Sequence, residues 1–182
     1  RYIRNQVNQR LPKSLNIGFA QSKGQYLTWT SDDNFYLPQA LEKMVNCLEE
    51  KRGDFVYCNY FSFGAEDLKD AQLEELPASP VFDRINPIRA CFLYSRKVLE
   101  TVGDYDPEKE LVEDYDYWIR VSKHFRMHHL SEPLYYYRKH GASLYGTRFW
   151  EVEVVKFLLR SKYDIASPLE ISGQLAALIS TK

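Results

Sequence analysis

The run Tyr26-Leu27-Thr28-Trp29-Thr30 passes without a break into Ser31-Asp32-Asp33-Asn34, and this join does most to limit the folds open to the chain. β-Branched and aromatic residues favour a pleated, half-buried strand, whereas adjacent carboxylates resist burial and belong at its solvent end. Helical patterns bracket the strand. Upstream, Leu15, Phe19 and Ala20 recur at helical spacing between Pro12 and Ser22, with Gly24 placed as a stop. Downstream, Leu41, Met44, Val45 and Leu48 mark the inner face of a helix opened by Pro38, running through Arg52 and closed by Gly53. Helix, acid-tipped strand and helix in succession predict an α/β sheet layered with helices.

The alternation continues along the chain. Phe55-Val56-Tyr57-Cys58 reads as a buried strand, and residues 89–94 as another. Ser95 then caps a helix whose Val98, Leu99 and Val102 face inward and which Gly103 ends. Residues 64–86 are acidic and polar, carry Pro77 and Pro80, and show no sustained period, which predicts a long loop. A helix over 113–123 carries the stripe Tyr115, Trp118, Ile119 and Ser122. That stripe leaves Asp114 in the first turn, off the buried face, ionised and accessible. Asp116 and Arg120, four apart, predict a surface ion pair. Residues 134–138 form a tyrosine-rich strand broken at His140-Gly141. From Phe149 two helical stretches separated by Ser167-Pro168 read as an appended tail, which divides the chain into residues 1–145 and a helical extension, 146–182.

Bulk properties remove several function classes. With 182 residues and 45% hydrophobic content the chain can bury the core of one ordinary domain. Lys and Arg number 24 against 25 Asp and Glu, a formal net charge of -1, so no global field gathers nucleic acid. Cys47, Cys58 and Cys91 are odd in number and widely spaced, a pattern of neither a disulfide framework nor a structural zinc site, and one that fits a reducing cytoplasm. No apolar run approaches the roughly 20 residues of a bilayer span, so any membrane would be met from its surface, at the inner face. The chain opens at Arg1 without a methionine or a leader pattern, which reads as a cut from something longer.

Two acidic pairs could carry chemistry. Asp32-Asp33 at a strand end suits a hard divalent ion with oxygen ligands, although the same residues serve as turn and cap before the next helix. Glu113-Asp114 in a first helical turn complements the helix dipole, but Asp114 has no basic residue three or four positions away to pair with. His140 follows Tyr136-Tyr137-Arg138-Lys139, so an imidazole and a guanidinium share one turn, an arrangement suited to a phosphate or a metal. His124 and His128 have helical metal-pair spacing, but the helix is ending there and a packing or surface role is the better reading.

The order of these blocks is more specific than any one of them. LNIGFAQSKGQYLTWTSDDNFYLPQAL, RACFLYSRKVLETVGDYD, VEDYDYWIRV and EPLYYYRKHGAS together resemble the second half of a family 2 glycosyltransferase of the GT-A fold, over about residues 1–143. The resemblance implies a truncated, Rossmann-like mixed sheet lacking the N-terminal βαβ units that grip the nucleotide. It implies an inverting transfer from a UDP-, GDP- or dTDP-sugar to a glycan or lipid-linked acceptor, of the kind found in cell-wall or polysaccharide biosynthesis, with Mn²⁺ or Mg²⁺ as cofactor. By the same resemblance Asp114 is the catalytic base, Glu113 orients the acceptor, Asp33 ligates the metal, and His140 with Arg138 reaches metal and diphosphate. Ser31 and Asp32 complete the nucleotide-side motif, where Ser31 replaces the usual aspartate. Asn16 and Gly18 match the helix under the nucleotide, and residues 89–91 the strand near the acceptor. The isolated 182 residues are expected to be inactive. Two other readings are a non-catalytic sugar-binding scaffold on the same fold and a metal-dependent nucleotidyltransferase, although the latter gives no reason for the ED helix or the YRKH turn.

Overall fold

A computed structural model describes residues 1–64, 68–83, 85–165, 170, 172–173 and 176. The order is α1 (Arg10–Gln21), β1 (Tyr26–Leu27), β2 (Phe35–Tyr36), α2 (Ala40–Lys51), β3 (Phe55–Cys58) and β4 (Tyr60–Phe63). A 3₁₀ turn, Leu68–Asp70, leads to β5 (Gln72–Glu74), β6 (Phe92–Ser95) and α3 (Arg96–Val102). After a second 3₁₀ turn, Pro107–Lys109, come α4 (Glu113–Ser122), β7 (Met127–Leu130), β8 (Tyr135–Arg138), α5 (Leu144–Thr147) and α6 (Phe149–Lys162).

Among the described residues eight short strands form two four-stranded mixed sheets, ordered β1-β6-β3-β7 and β2-β8-β4-β5. The pairs β3–β7 and β4–β8 are parallel and the rest antiparallel. One long strand pair therefore passes from the first sheet into the second, broken on one side only at Asn59. A break in a buried ladder exposes polar groups that must find partners. Asn59 supplies them: its Nδ2 donates to the Ser131 carbonyl at 2.8 Å, and its Oδ1 accepts from the Leu76 amide at 2.9 Å and meets His129 Nε2 at 2.8 Å.

Helices cover both faces of the first sheet. On one face Trp118 of α4 sets its ring edge-on to Phe92 and Phe55, with centroids 4.5 and 5.1 Å apart, and Phe19 of α1 joins the same cluster. Truncating Trp118 would cost about 3–5 kcal/mol in transfer and cavity terms. On the other face Ala40, Met44 and Leu48 of α2 pack on Val56, Cys58 and Leu93. Leu159 of α6 closes a third cluster with Val112, Tyr115 and Ile119. Among the described residues no helix is long and apolar enough to cross a membrane, and all three cysteines are free.

Several local expectations change. The strand expected over 26–30 pairs only at Tyr26 and Leu27. Beyond them side chains replace the ladder: Thr28 Oγ1 donates to the Phe92 carbonyl at 2.7 Å, Trp29 Nε1 to Tyr105 Oη at 3.0 Å, and Thr30 Oγ1 meets Tyr135 Oη at 2.6 Å. Strands β2, β4, β5 and β7, of two to four residues, are not among the strands expected from the sequence, and β5 lies inside the expected loop over 64–86. Ser95 does not cap α3 through its side chain; its Oγ bonds Asp54 Oδ1 at 2.6 Å. In α4, Ser122 is exposed while Tyr117 and Val121 are buried. The helix is wrapped on more than one side, since α6 lies against it. For the same reason Asp116 is no surface residue: it is 1% exposed, bonded by Arg120 Nε and by Tyr163 Oη, both at 2.8 Å. The break expected at Ser167-Pro168 lies outside the described residues.

Candidate active site

A cleft of about 750 Å³ lies between the β2–β8 edge, the turn before β6 and the start of α4. Trp29, Tyr60, Tyr137 and Tyr145 give it an aromatic lining, and Val152 and Lys156 bring α6 into its wall. Of the two acidic clusters of the sequence, Asp114 lines the cleft itself, whereas Asp33 stands behind the lining residues Ser31, Asn34 and His140.

At one end stand Asp33 and His140, 107 positions apart in the chain, with Nε2 of His140 2.8 Å from Oδ2 of Asp33. The pairing of β2 with β8 brings them together, because it sets the turn before β2 beside the turn after β8. Asn34 Oδ1 accepts the Arg138 amide at 2.8 Å, and Arg138 Nε donates to the Asp33 carbonyl at 3.4 Å, so the two turns are stitched directly. The other carboxylate oxygen of Asp33 is buried and makes no hydrogen bond. A buried carboxylate oxygen without a donor lacks the compensation such groups normally receive. Carboxylate and imidazole side by side are a donor set for a divalent ion such as Mn²⁺, and these two residues are the ones that could hold it. No third His, Cys, Asp or Glu completes a cluster among the described residues. Such an ion would therefore depend on ligand oxygens and water, as Mg²⁺ commonly does beside phosphates.

At the other end, Asp114 lines the cleft from the first turn of α4. Asn86 Nδ2 donates to its Oδ2 at 2.7 Å, and the Tyr115 amide to its Oδ1 at 2.6 Å. Burial raises its carboxyl above the ordinary aspartate range, opposed by the Tyr115 amide and by the charge of Arg89. The expected freely ionised and accessible carboxylate is thus corrected to a half-buried one with raised proton affinity. Glu113 is 8% exposed, one of its carboxylate oxygens has no hydrogen-bond partner, and burial followed by the Asp114 charge pushes its carboxyl up strongly. Burial and the neighbouring charge together favour the protonated form of Glu113.

The other predicted residues distribute unevenly. Ser31 lines the cleft, whereas Asp32 is exposed and stands outside its lining. Asn16 bonds the Tyr105 backbone with both ends of its amide, at 2.8 and 3.0 Å, and Gly18 is exposed on α1; neither lines the cleft. Sequence reasoning missed Asn86, although Asn-Pro before a strand is a turn signal, and it could not see that Tyr145 and α6 would fold over the site.

The family model of glycosyl transferase family 2 matches residues 1–107. An uncharacterized glycosyltransferase of Rickettsia typhi is 27% identical over 154 residues, covering 77% of this chain and 48% of its own. The putative glycosyltransferase EpsE of Bacillus subtilis is 27% identical over 143 residues, covering 75% and 51% respectively. The chain thus spans about half the length of these curated relatives. Among solved structures, that of S. aureus TarS superposes with a TM-score of 0.60 at 15% identity, covering 85% of this chain and 28% of TarS. TarS 1-349 in complex with UDP-GlcNAc gives 0.58 at 16% identity, covering 83% and 47%. At these identities the superposition establishes the GT-A fold.

Proposed function

Because the chain belongs to glycosyl transferase family 2, we propose that it forms the acceptor-side part of an inverting, metal-dependent glycosyltransferase, moving a sugar from a nucleoside-diphosphate sugar to an acceptor hydroxyl. The observation that carries this reading is one cleft lined both by a raised carboxyl, Asp114, and by His140, whose Nε2 meets Asp33 behind the lining. A TarS fragment has been crystallised with UDP-GlcNAc, which makes a UDP-sugar the first donor to try. The acceptor is a glycan or a lipid-linked saccharide.

Asp114 takes the proton from the acceptor hydroxyl as that oxygen attacks the anomeric carbon. Its raised proton affinity makes it a stronger base than a surface aspartate, while Asn86 and the Tyr115 amide fix the orientation of its carboxylate. Glu113, kept protonated beside it, adds no second charge to repel. Asp33 and His140 would hold the ion, and Arg138 secures the turn that presents them. The chemistry that Mn²⁺ or Mg²⁺ would supply there is to offset the charge developing on the departing diphosphate. Attack from the face opposite the leaving group inverts the anomeric centre.

The test uses the full-length protein. UDP-, GDP- and dTDP-sugars are screened for a manganese-dependent rise in Tm, and the one that binds is used in transfer assays with Asp114→Asn. The variant should bind donor and fail to transfer. Full activity in the variant sinks the base assignment, and failure of every nucleotide sugar to bind favours a sugar-binding scaffold. Release of pyrophosphate in place of a nucleoside diphosphate would point to a nucleotidyltransferase.

A further inference from the structure

Among the described residues, one cation lining the cleft forms no ion pair. Of the lysine and arginine side chains that line it, Lys139 is paired with Glu74 at 2.6 Å and Lys156 with Glu153. Arg89 has no ion-pair partner among the described residues, and it is exposed to the cleft.

Its placement is fixed from below. Ile88 is fully buried in the main core, and Asn86 Oδ1 accepts the amides of Ile88 and Arg89 at 3.0 and 3.4 Å. The same Asn86 holds Asp114 through its Nδ2, so one side chain ties the position of Arg89 to that of the base. Arg89 has a φ of 59°, a left-handed conformation that glycine adopts freely and arginine does not. A residue kept there against its preference commonly marks a functional constraint. Arg89 also opposes the upward push that burial exerts on the Asp114 carboxyl and on the phenols of Tyr60, Tyr137 and Tyr145. Its charge is therefore felt over the aromatic, base-bearing half of the cleft.

We propose that Arg89 is a specificity-determining residue that grips an oxyanion, phosphate or carboxylate, carried by the acceptor beside the attacked hydroxyl, so that the acceptor is an anionic saccharide and not a neutral one. This rests on the glycosyltransferase reading and adds the acceptor's chemical class to it. A guanidinium offers a planar pair of donors matched to either oxyanion. Such a group near Asp114 would be repelled by that carboxylate without a cation between them, and Arg89 supplies it. The aromatic side chains around it suit the apolar faces of a sugar ring.

The experiment measures equilibrium binding of three probes, glucose 6-phosphate, glucuronate and glucose, to the full-length protein saturated with Mn²⁺ and UDP, or with GDP or dTDP if one of those is the nucleotide bound. At least one anionic probe should bind about tenfold or more tightly than glucose, the better of the two identifying phosphate or carboxylate as the recognised group. Arg89→Asn removes the charge with a residue that tolerates a left-handed backbone, and it should bring that probe down to the level of glucose. Arg89→Lys should keep part of the preference. The proposal is overturned if the anionic probes bind no better than glucose, or if their advantage survives in Arg89→Asn. It is equally overturned if a parallel titration of the nucleotide-free protein shows the advantage and the nucleotide-saturated protein does not, which would assign the guanidinium to the donor's diphosphate. Nucleotide binding without any Arg89-dependent preference defeats this inference alone, whereas failure of all three nucleotides to bind defeats the glycosyltransferase reading and this inference with it.

Discussion

Ser31-Asp32-Asp33 and Glu113-Asp114 are both runs of acids at the end of a regular pattern, yet the folded chain treats them in opposite ways. The first sits in a turn between two very short strands, with Ser31 and Asp32 exposed and only Asp33 engaged, by an imidazole from the far end of the chain. The second opens a ten-residue helix sealed by α6, and both of its carboxyls are pushed toward the neutral form. One cluster is thus completed by a partner and the other is shaped by burial. Loss of a partner should weaken binding, and a change in burial or charge should alter proton affinity. That contrast can be broken or sharpened by four measurements on the full-length protein.

The largest effect is expected from Asp114→Asn, which should lower the transfer rate about 10²- to 10⁴-fold, the usual contribution of a general base, while leaving nucleotide binding in place. Its Tm should fall modestly, because both oxygens of Asp114 accept hydrogen bonds and the amide can keep only one of them. Next comes His140→Ala: deleting the partner of Asp33 should weaken the manganese dependence of nucleotide binding about 10- to 100-fold, read by titrating Mn²⁺ at fixed nucleotide. Unchanged manganese dependence would mean that Asp33 and His140 are only an ion pair between two turns.

A smaller effect is thermodynamic. The folded-state carboxyl of Glu113 has a higher proton affinity than in the unfolded chain. Between the two values the folded state binds more protons, so stability falls as pH rises from the ordinary glutamate range through the raised one. Glu113→Gln should flatten that fall, by at most about 1.4 kcal/mol per pH unit, and Tm measured across that range checks it. An unaltered slope would relocate the titration to another group. The smallest effect belongs to Asn86→Ala. Losing a donor to the ionised carboxylate should move the acid limb of the pH–rate profile upward, by less than about one unit. A downward move would show that Asn86 favours the neutral acid.

Much of the frame was legible in the residues. Leu41, Met44 and Leu48 announced α2, of which Met44 and Leu48 are buried with Ala40; Phe55 to Cys58 announced a buried strand, and Tyr115, Trp118 and Ile119 a packed helix. These signals survive because each depends on neighbours within one or two turns of chain. Strands of two or three residues, such as β2 and β5, have too few residues to show a period and exist only because another strand is beside them. The site divides along the same line. The candidate residues Asp33, Asp114 and His140 stood out as chemical types at element ends, and their order supported the family resemblance.

What the sequence by itself determined was the α/β alternation, the family and the identity of the acids, because periodicity and residue chemistry are local properties. Only the tertiary structure decided that Asp116 lies under α6, that Asn16 is a tie to Tyr105, that Asn86 joins Arg89 to Asp114, and that His140 faces Asp33. Apart from the bond of Asn86 to Arg89, which spans three positions, each of these joins groups 28 to 107 positions apart, and burial and hydrogen bonding at such separations are set by sheet pairing and helix packing, which no local pattern encodes.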